Sequence, residues 1–353
     1  MISTKIIKAG LLGVKEEYIR EAANVLKAGG LVIIPTETVY GVAADAGNPK
    51  AVGRLAEIKK RPENKPFSIA IEKKDRVEEF ARDVPPAAYK LMNKFWPGPL
   101  TLILKGISGP SVGLRMPDNS IALKIIAAAE NPVVLPSANL SGEAAPLNFE
   151  EAIRDLNGLV ELAIDAGPVK LGLESSIVDF TVEPARVLRT GAINEADINK
   201  AIKKKNVLFV CTGNTCRSVI AEALFKKMMR EQHRDDVEVF SAGVTTLSGI
   251  GASQGAREVL AKEGIDVSGH ISHEITKELV RGSDLILVME RLHEGAILKL
   301  APDVKNRVFL LKEFAKIDEN NLDIADPSGQ PMGYYEDVFV SIKEALERVS
   351  KLI

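Results

Sequence analysis

The chain has 353 residues, 46% hydrophobic and 27% charged, with 46 basic and 48 acidic side chains and a formal net charge of -2. This is globular composition with room for about two domains, and the near-balance of charge argues against a dedicated nucleic-acid binder, which presents a strongly basic face. The only cysteines are Cys211 and Cys216, which excludes a secreted disulfide scaffold and fits a reducing cytoplasm.

The first residues, Met1-Ile2-Ser3-Thr4-Lys5, hold no cleavable apolar segment. No run approaches the roughly 18 apolar residues that span a bilayer, so a cytoplasmic protein without a membrane partner is expected. Helical periodicity runs from Glu16 to Lys27 and stops at Gly29-Gly30. Leu31-Val32-Ile33-Ile34 follows as a buried-strand candidate, and 100–104, 133–135 and 177–180 read the same way. The charged stretch 199–205 marks a domain boundary. Beyond it, 207–210, 237–240, 285–289 and 308–311 are strand candidates with helical stretches between them. The alternation predicts α/β architecture throughout.

The half before the boundary has no cysteine and no histidine. Its signals are polar groups at the ends of apolar runs: Pro35-Thr36-Glu37-Thr38, Lys59-Lys60-Arg61-Pro62, Arg115-Met116-Pro117, Ser137-Ala138-Asn139, Glu174-Ser175-Ser176 and Arg189-Thr190-Gly191. Ligand sites in α/β proteins gather where strands end in loops. Lys59, Arg61, Arg115 and Arg189 supply positive charge for a polyphosphate, and Ser137, Asn139 and Ser175 suit a ribose, an amino acid or a carbonyl. Many donors and no nucleophile suit nucleotidyl transfer, where positioning and charge stabilisation do most of the work. A module that holds RNA without chemistry is the rival reading.

Together these motifs resemble the Sua5/YrdC/YciO family across about residues 10–200, with Lys59, Arg61, Ser137 and Asn139 matching its K-x-R and S-x-N signature. The resemblance implies a twisted mixed sheet with a concave pocket and threonylcarbamoyl-AMP synthesis from L-threonine, bicarbonate and ATP, with Mg2+ on the ATP phosphates. It implies threonine contacts from Thr36, Arg115, Ser137 and Ser175, and ATP contacts from Lys59, Arg61, Asn139 and Arg189. A separate tRNA-modification complex would then pass the threonylcarbamoyl group to adenosine 37. Ala70 stands where members often have a histidine and Ser176 where threonine is usual, which leaves a YciO-like member with other activity as the alternative. The longer members carry a distinct C-terminal domain, whose place a different sequence takes here.

That sequence contains Val207-Leu208-Phe209-Val210-Cys211-Thr212-Gly213-Asn214-Thr215-Cys216-Arg217-Ser218. A strand, a loop and a helix start in this order point backbone N–H groups into one hollow. Such a hollow stabilises a Cys211 thiolate, the nucleophilic form, and an incoming phosphoryl oxyanion. Gly213 permits close approach, Asn214 tolerates unusual dihedrals, Arg217 offers a planar fork and Ser218 a hydroxyl to the thiolate. In-line attack by Cys211 would give a phosphocysteine that water hydrolyses. Asp326, held in a loop by Pro327, is the candidate general acid. Cys216 is either a redox partner of Cys211 or a small packing residue. His270 and His273 read as surface or capping residues rather than zinc ligands.

With Ala221-Glu222-Ala223, Ser241-Ala242-Gly243, 284–287 and Asp326-Pro327, residues 206–353 resemble the low-molecular-weight protein phosphatase family. This implies a Rossmann-like parallel sheet, the phosphate loop 211–218 and a phosphorylated protein substrate. Val219 replaces the usual proline, and Ser328 replaces the aromatic residue that usually walls the pocket. Thr215 resembles the protein-arginine branch, so phosphoarginine is favoured over phosphotyrosine, with a tyrosine phosphatase as the alternative.

Overall fold

A computed structural model of the chain describes residues 2–10, 13–61, 66–245, 249–318 and 320–353. Met1 and Pro62, quoted above, lie outside the described residues. Among the described residues no helix is long and apolar enough to cross a membrane. The chain divides into two compact units, Met1–Lys200 and Ala201–Ile353.

In the first unit a mixed sheet is built from β1 (Lys5–Lys8), β2 (Val32–Ile34), β3 (Gly41–Asp45), β4 (Ile69–Ala70), β5 (Leu100–Leu104), β6 (Val112–Arg115), β7 (Val133–Val134), β8 (Leu162–Asp165), β9 (Ser176–Asp179) and β10 (Arg186–Arg189). Their spatial order is β1-β8-β2-β3-β7-β4-β6-β5-β9-β10. Both faces are covered. Ile34 and Ile164 pack into one apolar cluster, while their neighbours Ile33 and Ala163 pack into the other, as the two-residue period of a strand requires. The helix Glu16–Lys27 buries Ile19, Ala22, Ala23 and Leu26, the i, i+3, i+4, i+7 stripe that seats a helix on a sheet.

Three local devices aim side chains into the pocket described below. Asn48 accepts N–H bonds from Lys50 and Ala51 and so starts the helix Pro49–Lys59. Lys60, at φ 50°, ends it in the left-handed region and turns Arg61 away from the helix axis. The β9/β10 register shifts between Val187 and Arg189, an irregularity of the kind that re-aims a side chain at a strand end.

In the second unit four strands, β11 (Lys205–Cys211), β12 (Val237–Gly243), β13 (Leu285–Val288) and β14 (Val308–Leu310), run parallel in the order β12-β11-β13-β14. Mixed sheet and parallel sheet are the two architectures the sequence predicts. Phe209 packs edge-on against Phe225 with ring centroids 5.6 Å apart, in the cluster formed with the helices Arg217–Glu231 and Met332–Val349. Leu208 and Val210 enter the cluster on the other face. The strand order reverses beside β11, so the loop leaving its carboxyl end opens into the crevice where doubly wound folds place their ligands.

Candidate active sites

A cavity of about 200 Å³ opens in the first unit, walled by Arg61, Arg115, Ser137, Ser175 and Arg189. Five of the eight sequence-predicted residues therefore share one wall. Arg61 lies over the Phe67 ring at 4.5 Å and donates to Pro66 O at 2.8 Å. Arg189 donates from Nε to Ser175 O at 2.9 Å and from Nη2 to Ser175 Oγ at 3.2 Å, and pairs with Glu174 at 2.9 Å. Gly191 makes this possible: a Cβ there would lie 2.1 Å from Glu174 O.

The other three are not among the residues that wall the cavity. Lys59 is buried, and its Nζ donates at 2.6 Å to both Ser137 O and Asn139 O. Burial above all, with the nearby Arg61 charge, lowers its pKa to about 8, against a smaller opposing effect of Glu174. The Asn139 side chain donates to Leu140 O and Glu143 O. Thr36 Oγ1 accepts from the N–H groups of Thr38 and Val39 and donates to Val39 O, a turn that shapes the loop between β2 and β3.

Sequence reasoning quoted Glu37 within a motif but gave it no role. It is 3% exposed and pairs with Arg115 Nη2 at 2.7 Å, while Thr38 Oγ1 accepts from the same nitrogen at 2.8 Å. Arg115 Nε donates to Gly98 O, and its Nη1 has no partner among the described residues. Glu37 thus fixes one edge of the fork and leaves another for a carboxylate. Glu37→Gln should lower stability by about 2 kcal/mol, less than the roughly 3–5 kcal/mol of a fully buried pair because Arg115 keeps some exposure. Denaturant unfolding checks this, and an unchanged midpoint would show that the pair contributes nothing.

In the second unit residues 212–216 form the loop between β11 and the helix Arg217–Glu231, whose N-terminus no side chain caps. Its first N–H groups are thus open to an anion. Cys211 Sγ lies 3.0 Å from Ser218 Oγ. Asn214, left-handed at φ 51°, donates from Nδ2 to Ser218 Oγ at 3.0 Å and Ser241 Oγ at 2.7 Å, and accepts the His273 N–H on Oδ1. Ser241 in turn donates to Glu222. His270 Nε2 bonds Asn214 O, so both histidines brace the loop. A Cβ at Gly243 would lie 2.6 Å from Thr212 O, so the loop needs glycine there. Cys216 Sγ bonds Ser253 Oγ at 3.0 Å and lies 3.6 Å from Ser328 Oγ.

Arg217 is 1% exposed. Its Nη1 pairs with Glu290 and donates to Ile324 O at 2.9 Å. Its Nη2 pairs with Asp326 and donates to Thr212 Oγ1 at 3.2 Å. Its Nε is buried with no partner among the described residues, a donor suited to an oxyanion. For Asp326 burial works upward, but the Ser328 bonds and the Arg217 charge outweigh it and hold the carboxyl below its usual range. A phosphoryl group on Arg217 would replace that favourable charge with a repulsive one and raise the Asp326 pKa, as proton donation to a leaving group requires.

Glu290 and His293 were missed. They follow β13 directly, at the sheet end where α/β sites form, and their spacing is that of a capping box. That spacing was the available signal.

The Sua5/YrdC/YciO family model, described as "Telomere recombination", matches residues 24–191. The low molecular weight phosphotyrosine protein phosphatase model matches residues 206–353. The threonylcarbamoyl-AMP synthase of Pyrococcus abyssi is 40% identical over 198 residues, covering 54% of this chain and 58% of its own. The chain thus spans little over half that relative's length. A putative threonylcarbamoyl-AMP synthase of Methanocaldococcus jannaschii is 34% identical, covering 54% of this chain and 95% of its own. A Pyrococcus abyssi Sua5 variant structure aligns with TM-score 0.54 and 30% identity over 68% of this chain and 91% of its own.

Proposed function

Because the chain belongs to the Sua5/YrdC/YciO family through its N-terminal half and carries a low-molecular-weight protein phosphatase domain in its C-terminal half, we propose a bifunctional enzyme that makes threonylcarbamoyl-AMP and hydrolyses phosphorylated protein. In the first unit the amine of L-threonine takes up bicarbonate carbon as a carbamate with loss of water. A carbamate oxygen then attacks the α-phosphorus of ATP, and pyrophosphate leaves. Arg115 and Ser175 hold threonine, and Arg61, Arg189 and Lys59 answer the phosphate charge. Mg2+ enters with the nucleotide on its phosphates. A tRNA-modification complex is the consumer of the adenylate. The pocket that gathers Arg61, Arg115, Ser137, Ser175 and Arg189 carries this reading. Pyrophosphate release that needs both threonine and bicarbonate tests it; RNA binding without such release would favour a YciO-like or RNA-holding module.

In the second unit Cys211 attacks phosphorus, Asp326 protonates the leaving group and water clears the phosphocysteine. The Cys211–Ser218 contact beside the buried Arg217 carries this reading. Phosphoarginine is the favoured substrate. Thr215 is smaller and more polar than the apolar residue common in tyrosine-directed members, so a guanidinium would find a hydroxyl where a phenol ring would want an apolar surface. Phosphoarginine peptides should be turned over at least about tenfold faster than phosphotyrosine peptides, with Thr215→Ile reversing the order. Equal rates would remove the arginine preference and leave a protein-tyrosine phosphatase.

A further inference from the structure

We propose that His293 is a positioning residue for the phosphate loop, holding Thr212 so that the threonine oxygen anchors the Arg217 guanidinium. The inference rests on the phosphatase reading of this site and adds a residue to it.

The direction of each hydrogen bond follows from the first. The Glu290 backbone N–H can only donate, and it meets His293 Nδ1 at 3.1 Å. Nδ1 therefore carries no proton, and the neutral ring carries its proton on Nε2. Nε2 lies 3.0 Å from Thr212 Oγ1, so the imidazole donates and the hydroxyl oxygen accepts. The same oxygen accepts from Arg217 Nη2 at 3.2 Å. Two N–H donors from opposite elements thus converge on one oxygen, and the Thr212 rotamer has little freedom left. Arg217 gains a fixed neutral anchor on the nitrogen that, among the described residues, otherwise meets only Asp326. When a phosphoryl group displaces the carboxylate, this anchor stays, and the fork keeps its plane.

The environment maintains the neutral ring. His293 is 0% exposed, and burial first, then the Arg217 charge, lowers its pKa to about 4 despite Asp326 and Asp323. A cationic ring would need a second acceptor, where the Glu290 N–H instead points at Nδ1.

A capping role alone makes the opposite demand on replacements. Asparagine can accept the Glu290 N–H but is too short to reach Thr212. Glutamine reaches Thr212 with its amide N–H. The test uses the full chain, p-nitrophenyl phosphate as substrate and inorganic phosphate as a binding probe. His293→Asn and Thr212→Val should each lower kcat/KM about tenfold, the double variant should fall no further than either single, and His293→Gln should recover most of the loss. Phosphate affinity should follow the same pattern. Additive losses, or His293→Gln weaker than His293→Asn, would overturn the inference. If the wild type binds phosphate but does not hydrolyse the ester, the phosphatase reading falls, and the phosphate cycle still decides the role of His293.

Discussion

Cys211→Ser should lower phosphopeptide hydrolysis by about four orders of magnitude or more while leaving threonine-dependent pyrophosphate release unchanged. The reasoning begins with size. Serine is nearly isosteric with cysteine, so the 3.0 Å contact to Ser218 and the Asn214 bonds behind it can persist. Arg217 is buried against Glu290, Ile324 and Thr212, so phosphate binding should survive. What disappears is the sulfur nucleophile: a thiolate attacks phosphorus, and the alcohol of serine offers no comparable nucleophile. The variant should therefore bind substrate and stall. Phosphate release assayed beside pyrophosphate release on one preparation reads both halves together. A Cys211→Ser protein that still hydrolyses the peptide would refute the nucleophile assignment.

Lys59→Ala should abolish adenylate formation by about two to three orders of magnitude and spare the phosphatase. The ammonium holds two backbone carbonyls, Ser137 O and Asn139 O, at 2.6 Å, and so fixes the segment that presents Ser137 to the cavity. Removing it deletes a cation near the expected polyphosphate and leaves two acceptors without partners, at about 1–3 kcal/mol of stability. The wild type offers a gentler version of the same experiment. With a pKa of about 8, Lys59 is charged below that pH and neutral above it. The KM for ATP should thus rise as pH passes about 8, and an alanine variant should lack that inflection. A flat wild-type profile from pH 7 to about 9.5 would place the charge of Lys59 outside nucleotide binding.

Much of the architecture was legible. The helix Glu16–Lys27 announces itself through its stripe and its Gly29 stop, and Phe209 and Leu208 lie in a run apolar enough for a strand buried on both faces. The two-residue strand β4 carries too few positions for any period to show. The site was legible where chemistry is written in consecutive residues, as in Cys211 to Ser218. It was illegible where one charge answers another across the fold. Nothing local in Glu37 shows that it holds Arg115, 78 positions away. Glu290 likewise reads as a helix start, and only the folded chain brings it to Arg217. Buried pairs of this kind are tertiary facts, because the acidic partner alone looks like a solvated surface charge.

The pairing of Arg217 with Asp326 means that the protein carries its own competitor for the oxyanion seat. A tethered carboxylate acts at an effective concentration far above that of free phosphate in solution. On the proposed mechanism, hydrolysis of a phosphocysteine would let Asp326 pair with the guanidinium again and displace the product. Rapid product clearance and weak inhibition by inorganic phosphate would follow from that ion pair.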